Sequence, residues 1–199
     1  MDVTVNCSEG RNGRPRDPRA PLSSGDCLYT AESIQARIRE MGAAISSDYR
    51  NRGRDLAVVA MLRGSLYFVA DLTRAITLPL TFDFIGIGSY SQTQDTGVMR
   101  ITKDLDIDIR GRDVLVLEEI VRSGLTTNYM IQNLENRKAA SIRLAALFVC
   151  EEQNLIDLPI AYRGFAISRQ RLVGYGMDER DHGRNLPSVY ELIRREAGA

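Results

Sequence analysis

Apolar residues are grouped along the chain into continuous runs and into repeats with helical spacing. Continuous runs predict strands that are buried on both faces of a sheet; they lie at residues 56–62, 114–117 and 142–149. Repeats at three- and four-residue intervals predict amphipathic helices; they lie near residues 30–50, 66–76 and 127–136. Because strands and helices alternate, the pattern favours an α/β fold with a mainly parallel sheet.

Weaker patterns predict the remaining elements. Shorter strands are expected near residues 80–87, 98–102, 164–167 and 172–175. A C-terminal helix is expected over residues 188–196, because Ser188 is a suitable N-cap and Glu191 stands three positions later, as in a capping box.

Two segments lack apolar periodicity. Residues 1–26 are rich in Pro, Gly, Ser and Arg, which predicts a disordered leader before a single domain at 27–199. Residues 89–97 are polar and contain Ser and Gly, which predicts a mobile loop.

Composition narrows the class of protein. With 44% hydrophobic and 26% charged residues, the chain is typical of globular proteins. Its formal net charge of +0 does not favour nucleic-acid binding, and it lacks the long apolar run of a membrane span or signal peptide. Three scattered cysteines predict no disulfide framework and favour the cytoplasm. His182 is the only histidine, so a His-based catalytic triad is not favoured.

The most informative stretch begins at the strand of residues 114–117. Glu118 and Glu119 follow where that strand is expected to surface, and a small-residue loop at 122–126 leads into a helix. Backbone N–H groups at a helix N-terminus bind phosphate, while carboxylates bind ribose hydroxyls or Mg²⁺. The pattern therefore indicates a sugar-phosphate site, although an ordinary strand-to-helix turn with an acidic end remains the alternative.

Other polar residues are expected at the same edge of the sheet. Arg63 and Ser89 also stand just beyond predicted strand ends. Ligands of open α/β sheets bind at the carboxyl ends of the strands. Taken alone, Arg63 could equally be a solvated surface cation.

Several blocks together resemble the hypoxanthine-guanine phosphoribosyltransferases, which are type I phosphoribosyltransferases. The resemblance extends from about residue 30 to residue 190, and its blocks are residues 59–65, 88–90, 97–101, 103–106, 113–127, 173–178 and 184–187. It implies a mainly parallel central sheet flanked by helices, with a small hood. It also implies transfer of ribose 5-phosphate from phosphoribosyl pyrophosphate (PRPP) to a purine base with Mg²⁺, in a homo-oligomer that is a dimer or tetramer.

The resemblance also implies roles for individual residues. The catalytic positions are Arg122, at the place of the usual general base, and Glu119. PRPP or nucleotide binding falls to Glu118, Glu119, Arg122, Ser123, Gly124, Leu125 and Thr126, of which Ser123 to Thr126 would hold the 5′-phosphate. Pyrophosphate binding falls to Leu62, Arg63, Gly64 and Arg184. The root of the closing loop is Ser89 and Tyr90, and the base pocket contains Cys150, Arg171, Leu172 and Asp178. The implied Mg²⁺ ligands are Glu118 and Asp178.

Three positions depart from the family pattern. Arg122 stands where an aspartate usually accepts the purine proton, and a guanidinium cannot act as a base. Cys150 replaces the lysine that meets the purine 6-oxo group, and Arg171 replaces an aromatic that stacks on the purine.

The departures leave two hypotheses open. One is a purine phosphoribosyltransferase that is slow or altered in base choice, since loss of a general base typically costs about 10²–10⁴-fold in rate. The other is a catalytically impaired homologue that binds PRPP or a nucleotide as a sensor or partner subunit. A nucleic-acid-binding regulator has only the arginines of the leader in its favour.

Overall fold

The computed structural model describes residues 17, 19–20, 24–89 and 99–193. In chain order, the helices are α1 Ala31–Tyr49, α2 Leu66–Ala75 and α3 Leu125–Glu135, with a 3₁₀ turn at Glu151–Gln153. The strands are β1 Ser24–Tyr29, β2 Leu56–Leu62, β3 Leu80–Ser89, β4 Met99–Lys103, β5 Asp113–Val121, β6 Ser141–Val149, β7 Ile160–Ala166, β8 Leu172–Val173 and β9 Val189–Leu192. The described residues form two compact units. The larger unit contains residues 37–169, and the smaller unit contains the described residues in 1–36 and 170–199.

The larger unit contains a six-stranded sheet in the order β4-β3-β2-β5-β6-β7. All neighbouring strands are parallel except β4, which pairs antiparallel with β3 at the edge. This arrangement confirms the predicted α/β fold with a mainly parallel sheet. It also brings the carboxyl ends of β2 and β5 together at the centre, where ligands of such sheets bind.

The core explains why the strong apolar runs become central strands. Residues 114–117 of β5 are completely buried, as are residues 57–60 of β2. Met130 and Leu134 of helix α3 pack into the same core. The predicted strand at 56–62 matches β2, and the predictions at 80–87, 98–102 and 142–149 are confirmed within two residues at each end.

The smaller unit contains the three-stranded antiparallel sheet β1-β9-β8. The helix predicted at 188–196 is wrong where the structure describes it, because Val189–Leu192 form β9. Tyr190 and Leu192 pack into this unit's apolar cluster. The Ser188 hydroxyl accepts the backbone N–H of Ala31 at 3.0 Å and so caps α1 instead.

Strand β1 also changes the predicted domain boundary. It begins at Ser24, so a boundary after Asp26 falls inside a strand. Most of the predicted leader, and all but the first residue of the predicted mobile loop at 89–97, lie outside the described residues. Among the helices that the structure describes, none has the length and apolarity needed to cross a membrane.

Two tyrosines near the amino ends of the strands differ in how their hydroxyls are satisfied. The Tyr162 hydroxyl donates to Asp48 at 2.8 Å and accepts from Arg143 at 3.1 Å. The buried Tyr49 hydroxyl has no hydrogen-bond partner within the described part of the chain. The Tyr49 ring instead faces the guanidiniums of Arg52 and Arg143, 4.7 and 5.6 Å from its centroid. Burial raises the pKa of Tyr49 to about 12.

We expect the two Tyr→Phe variants to have different stabilities. Tyr49→Phe keeps the ring and removes a buried, unsatisfied hydroxyl, so its free energy of unfolding should equal or exceed the parent's. Tyr162→Phe removes two hydrogen bonds, although Asp48 and Arg143 still pair with each other at 3.0 Å, and should lower that free energy by about 0.5–1.5 kcal/mol for each bond. Urea unfolding of both variants measures the difference; a larger loss in Tyr49→Phe than in Tyr162→Phe would contradict it.

Candidate active site

The acidic pair lies near the carboxyl end of the central strand β5. The strand was predicted to surface at Glu118, but it continues to Val121, and Glu118 is only 1% exposed. The hydroxyl of Thr127 donates to Glu118 Oε1 at 3.2 Å, while Glu118 Oε2 has no hydrogen-bond partner among the residues that the structure describes. Burial, together with the negative charge of Glu119, holds the pKa of Glu118 well above its ordinary value.

The turn after β2 lies against this acidic pair. A Cβ atom added to Gly64 would fall 1.7 Å from Glu119 Oε1, so only glycine permits this approach. The peptide bond between Leu62 and Arg63 is cis, and the Arg63 side chain is exposed. The predicted pyrophosphate loop and the predicted ribose carboxylates are therefore neighbours in the fold.

The loop after β5 leads directly into helix α3. Gly124 has a φ of 78°, a left-handed conformation that favours glycine, and α3 begins at the next residue. The Ser123 hydroxyl accepts the N–H of Leu125 at 3.4 Å, and the side chains of Ser123 and Thr126 are half-buried. The first N–H groups of a helix have no acceptor within it, so this end of α3 can bind an anion.

Two of the three departures from the family pattern stand side by side. Strands β5 and β6 pair Val121 with Val149, so Arg122 and Cys150 follow at adjacent strand ends. The Cys150 N–H donates to the Val121 carbonyl at 2.9 Å. Cys150 is completely buried, and its thiol donates to the Ser168 carbonyl at 3.2 Å.

An open cavity of about 460 Å³ adjoins this position. It is lined by Arg122, Ser123, Glu152, Gln153, Asn154, Leu155 and Arg169. An Arg122 guanidinium nitrogen donates to Gln153 Oε1 at 3.1 Å. The cavity thus connects the predicted phosphate loop with the segment that follows β6.

In the smaller unit, the predicted metal and pyrophosphate residues form an ion pair. Arg184 contacts Asp178 Oδ1 at 2.6 Å and Asp181 Oδ1 at 3.3 Å. Arg184 also donates to the Gly176 carbonyl at 2.8 Å. Arg171 is exposed and Leu172 is buried.

The structure thus places the predicted residues in separate groups. The acidic pair, the turn at Gly64, the phosphate loop and Cys150 belong to the larger unit, whereas Asp178 and Arg184 belong to the smaller one. Tyr90 and the side chain of Ser89 lie outside the described residues. Sequence reasoning missed Thr127, which contacts Glu118; a threonine within a helix carries no local signal for this contact.

The raised pKa of Glu118 leads to a prediction for stability. The pKa of Glu118 in the folded state exceeds its unfolded value of about 4.3. The burial of Glu118 therefore costs no stability below about pH 4.3, and the cost increases as the pH rises towards the folded-state pKa. Glu118→Gln removes the ionisation, so this variant should be more stable than the parent at pH 7, by an advantage that grows by about 1.4 kcal/mol per pH unit between the unfolded and folded pKa values. Urea unfolding from pH 4 to 8 measures the difference.

Glu135→Gln provides the matched control, because Glu135 is an exposed carboxylate at the end of α3. This variant should remain close to the parent at every pH. If the advantage of Glu118→Gln does not grow with pH, the burial of an ionisable Glu118 is the wrong explanation.

Comparison with known proteins first defines the class. The family model of the phosphoribosyl transferase domain matches residues 26–180 of the sequence. A hypoxanthine-guanine phosphoribosyltransferase from Mycobacterium avium is 43% identical over 189 residues, which are 91% of this chain and 93% of the relative.

Solved structures agree with this class. A hypoxanthine-guanine phosphoribosyltransferase from Bacillus anthracis, with HEPES in its active site, has a TM-score of 0.80 at 35% identity and covers 85% of this chain and 99% of its own. A hypoxanthine phosphoribosyltransferase from Trypanosoma cruzi, in complex with the product IMP, has a TM-score of 0.81 at 32% identity and covers 88% of this chain and 97% of its own. The chain belongs to the hypoxanthine-guanine phosphoribosyltransferase family, as its sequence blocks predicted.

Proposed function

We propose that this protein transfers the 5-phosphoribosyl group of PRPP to a purine base of the hypoxanthine-guanine class and releases pyrophosphate. The observation that carries the proposal is the position of the acidic pair. Glu119 touches the turn at Gly64, and Glu118 is held by Thr127 in the first turn of α3. A sugar whose hydroxyls meet these carboxylates would have the predicted pyrophosphate loop on one side and the predicted phosphate loop on the other.

Each group has a distinct task in this proposal. The carboxylates of Glu118 and Glu119 accept hydrogen bonds from the ribose hydroxyls, and the loop from Ser123 to Thr126 holds the 5′-phosphate. Arg63 and Arg184 stabilise the charge that develops on the departing pyrophosphate. The loop rooted at Ser89 and Tyr90 closes over the reacting carbon and excludes water.

The donor set fits Mg²⁺ as a cofactor. In nucleotide sites Mg²⁺ is usually held by one or two carboxylates together with substrate phosphates, and within the described residues no cluster of three candidate ligands exists. Glu118, with its unpartnered buried Oε2, and Asp178 are each a candidate ligand. Mg²⁺, when bound, neutralises charge on the pyrophosphate.

Pyrophosphate release from PRPP and Mg²⁺ with a panel of purine bases tests the proposal. We expect release with at least one base, and none without a base. PRPP binding without release for any base would instead support the impaired homologue. The relatives compared above carry the names of transferases, which does not favour that alternative.

Removing hydroxyls from the phosphate loop should weaken PRPP binding. Ser123→Ala and Thr126→Val each remove one donor to a charged oxygen, so each should cost about 1–2 kcal/mol of binding free energy. Calorimetry with PRPP and Mg²⁺ measures the cost. Thr73→Val is the control, since Thr73 lies on α2 and donates to the Val69 carbonyl. Unchanged affinity in both loop variants would place the phosphate elsewhere.

The family also suggests that the protein assembles as a dimer or tetramer. Light scattering of the purified protein tests this part of the proposal, and a monomer at micromolar concentration would contradict it.

A further inference from the structure

Arg122 and Cys150, which depart from the family pattern, lie next to each other at the carboxyl ends of β5 and β6. They follow paired residues of β5 and β6 and are joined by the hydrogen bond from the Cys150 N–H to the Val121 carbonyl. Since the buried Cys150 thiol donates its proton to the Ser168 carbonyl, it has none left for an oxo group of a base. Recognition of a base at this edge must therefore depend on other side chains.

The neighbouring cavity is more positive than negative. Its charged lining residues are Arg122, Arg169 and Glu152. Arg169 pairs with Glu152, with 3.5 Å between Nε and Oε2, and a guanidinium nitrogen of Arg122 donates to Gln153 Oε1 at 3.1 Å. The Gln153 contact fixes the position of the Arg122 guanidinium at the end of β5.

A neutral purine and an anionic purine require different chemical groups at the carboxyl ends of β5 and β6. A neutral purine must lose an N–H proton as it reacts, and a guanidinium cannot accept that proton. An anionic purine has already lost the proton and is attracted to a guanidinium.

We infer that the acceptor base reacts as an anion, and that Arg122 stabilises this anion at the end of β5. This inference rests on the proposed function. The acceptor loses its N–H proton to solvent before transfer. The nitrogen lone pair then forms the bond to C1′ of the ribose, while the bond from C1′ to the pyrophosphate oxygen breaks and its electrons leave with pyrophosphate. Arg122 gives up no proton and accepts none.

The inference specifies a class of acceptor. An additional nitrogen in the five-membered ring withdraws electrons and makes the N–H of that ring more acidic. 8-Azahypoxanthine should therefore be preferred over hypoxanthine near neutral pH, because a larger fraction of it is ionised at the reacting ring.

The test is the pH dependence of turnover for hypoxanthine and 8-azahypoxanthine, measured by pyrophosphate release with PRPP and Mg²⁺. Because kcat/KM reports ionisations of the free reactants, its midpoint should follow the pKa of the free acceptor and lie at lower pH for the more acidic acceptor. The midpoint of kcat reports the bound acceptor and should lie at lower pH. Arg122→Gln should raise the kcat midpoint by about one unit or more and lower kcat/KM about tenfold, since a nearby opposite charge shifts a pKa by about 1–3 units.

Two controls separate this effect from others. Arg163→Gln removes the same charge from β7, where Arg163 is paired with Glu151 at 2.5 Å outside the cavity, and should leave turnover unchanged. Cys150→Ser keeps a donor for the Ser168 carbonyl and should leave the midpoints in place.

Five results would overturn the inference. A midpoint that is the same for all acceptors, or that moves in Cys150→Ser, would assign the ionisation to the protein. Equal turnover of Arg122→Gln and parent would remove Arg122 from the reaction. Efficient use of hypoxanthine with a flat pH profile would refute the anionic acceptor but leave the proposed function intact. Failure of every acceptor to release pyrophosphate would refute both.

Discussion

Replacing Arg122 by aspartate should lower turnover about 100-fold with the preferred acceptor, although it supplies the residue that the family usually has at this position. The variant places a negative charge where the structure has a guanidinium held by Gln153. If the acceptor reacts as an anion, the change removes one attraction and adds one repulsion, each equivalent to a shift of about one pKa unit or more. Pyrophosphate release with hypoxanthine, guanine and xanthine measures the outcome.

The opposite result would have a clear meaning. A gain of tenfold or more with hypoxanthine or guanine, on the order of 1.4 kcal/mol in the barrier, would show that only a proton acceptor was missing. The protein would then be an ordinary purine enzyme damaged at one position. Arg122→Asn separates the two effects of the substitution, because it removes the positive charge without adding a negative one.

The position of Cys150 argues against a single damaged residue. In an otherwise unchanged site, a lysine would be expected beside Arg122 at the end of β6. Cys150 is buried there instead, and its thiol is engaged with the Ser168 carbonyl. Two neighbouring positions have therefore changed together, so restoring one of them should not restore the original chemistry.

The sequence was sufficient for the central sheet because that sheet depends on local patterns. The apolar residues of β2 and β5 form short continuous runs, which are typical of strands buried on both faces. The helices beside them have regular apolar spacing, and α1, predicted near residues 30–50, is observed at Ala31–Tyr49. These elements could be predicted without knowledge of their neighbours.

Other features depend on contacts that are distant in sequence. Ser188 has the local pattern of an N-cap for a following helix, but its hydroxyl caps α1 through Ala31. The residues after Ser188 pair with β1 and β8, and this pairing overrides their helical pattern. The burial of Glu118 could not be predicted either, because it follows from the extension of β5 to Val121 and from the contact with Thr127.

Within the candidate site, the sequence predicted which residues take part better than it predicted the contacts of those residues. Arg63 was expected at the same edge of the sheet as the acidic pair, and the proximity of Gly64 to that pair follows from the adjacent carboxyl ends of β2 and β5. The contact between Arg122 and Gln153 was not predicted, because Gln153 belongs to a polar segment after β6 with no distinctive pattern. Such polar contacts depend on loop geometry, which the hydrophobic pattern does not determine.

Asp178→Asn should remove most of the gain in PRPP affinity that Mg²⁺ provides. Loss of an outer-sphere partner of a bound metal typically costs about 10–100-fold in affinity. If Asp178 is a direct ligand, Asp178→Asn should reduce the gain in PRPP affinity from Mg²⁺ by at least the upper end of that range. In the structure Asp178 also pairs with Arg184 at 2.6 Å, so binding of a cation at Asp178 would release Arg184 towards an anion such as pyrophosphate. The variant removes the charged partner of Arg184 at position 178, while Asp181 and the Gly176 carbonyl still contact Arg184, so the affinity for PRPP in EDTA should equal or slightly exceed the parent's.

Calorimetry with PRPP, in Mg²⁺ and in EDTA, measures both effects of Asp178→Asn. Asp181→Asn is the matched control, because Asp181 also contacts Arg184, at 3.3 Å, but has not been assigned to the metal. If loss of a partner for Arg184 were the whole effect, both variants would behave alike. If the metal role is correct, only Asp178→Asn loses the response to Mg²⁺. Equal PRPP affinity of the parent in Mg²⁺ and in EDTA would show that the metal role assigned to Asp178 is wrong.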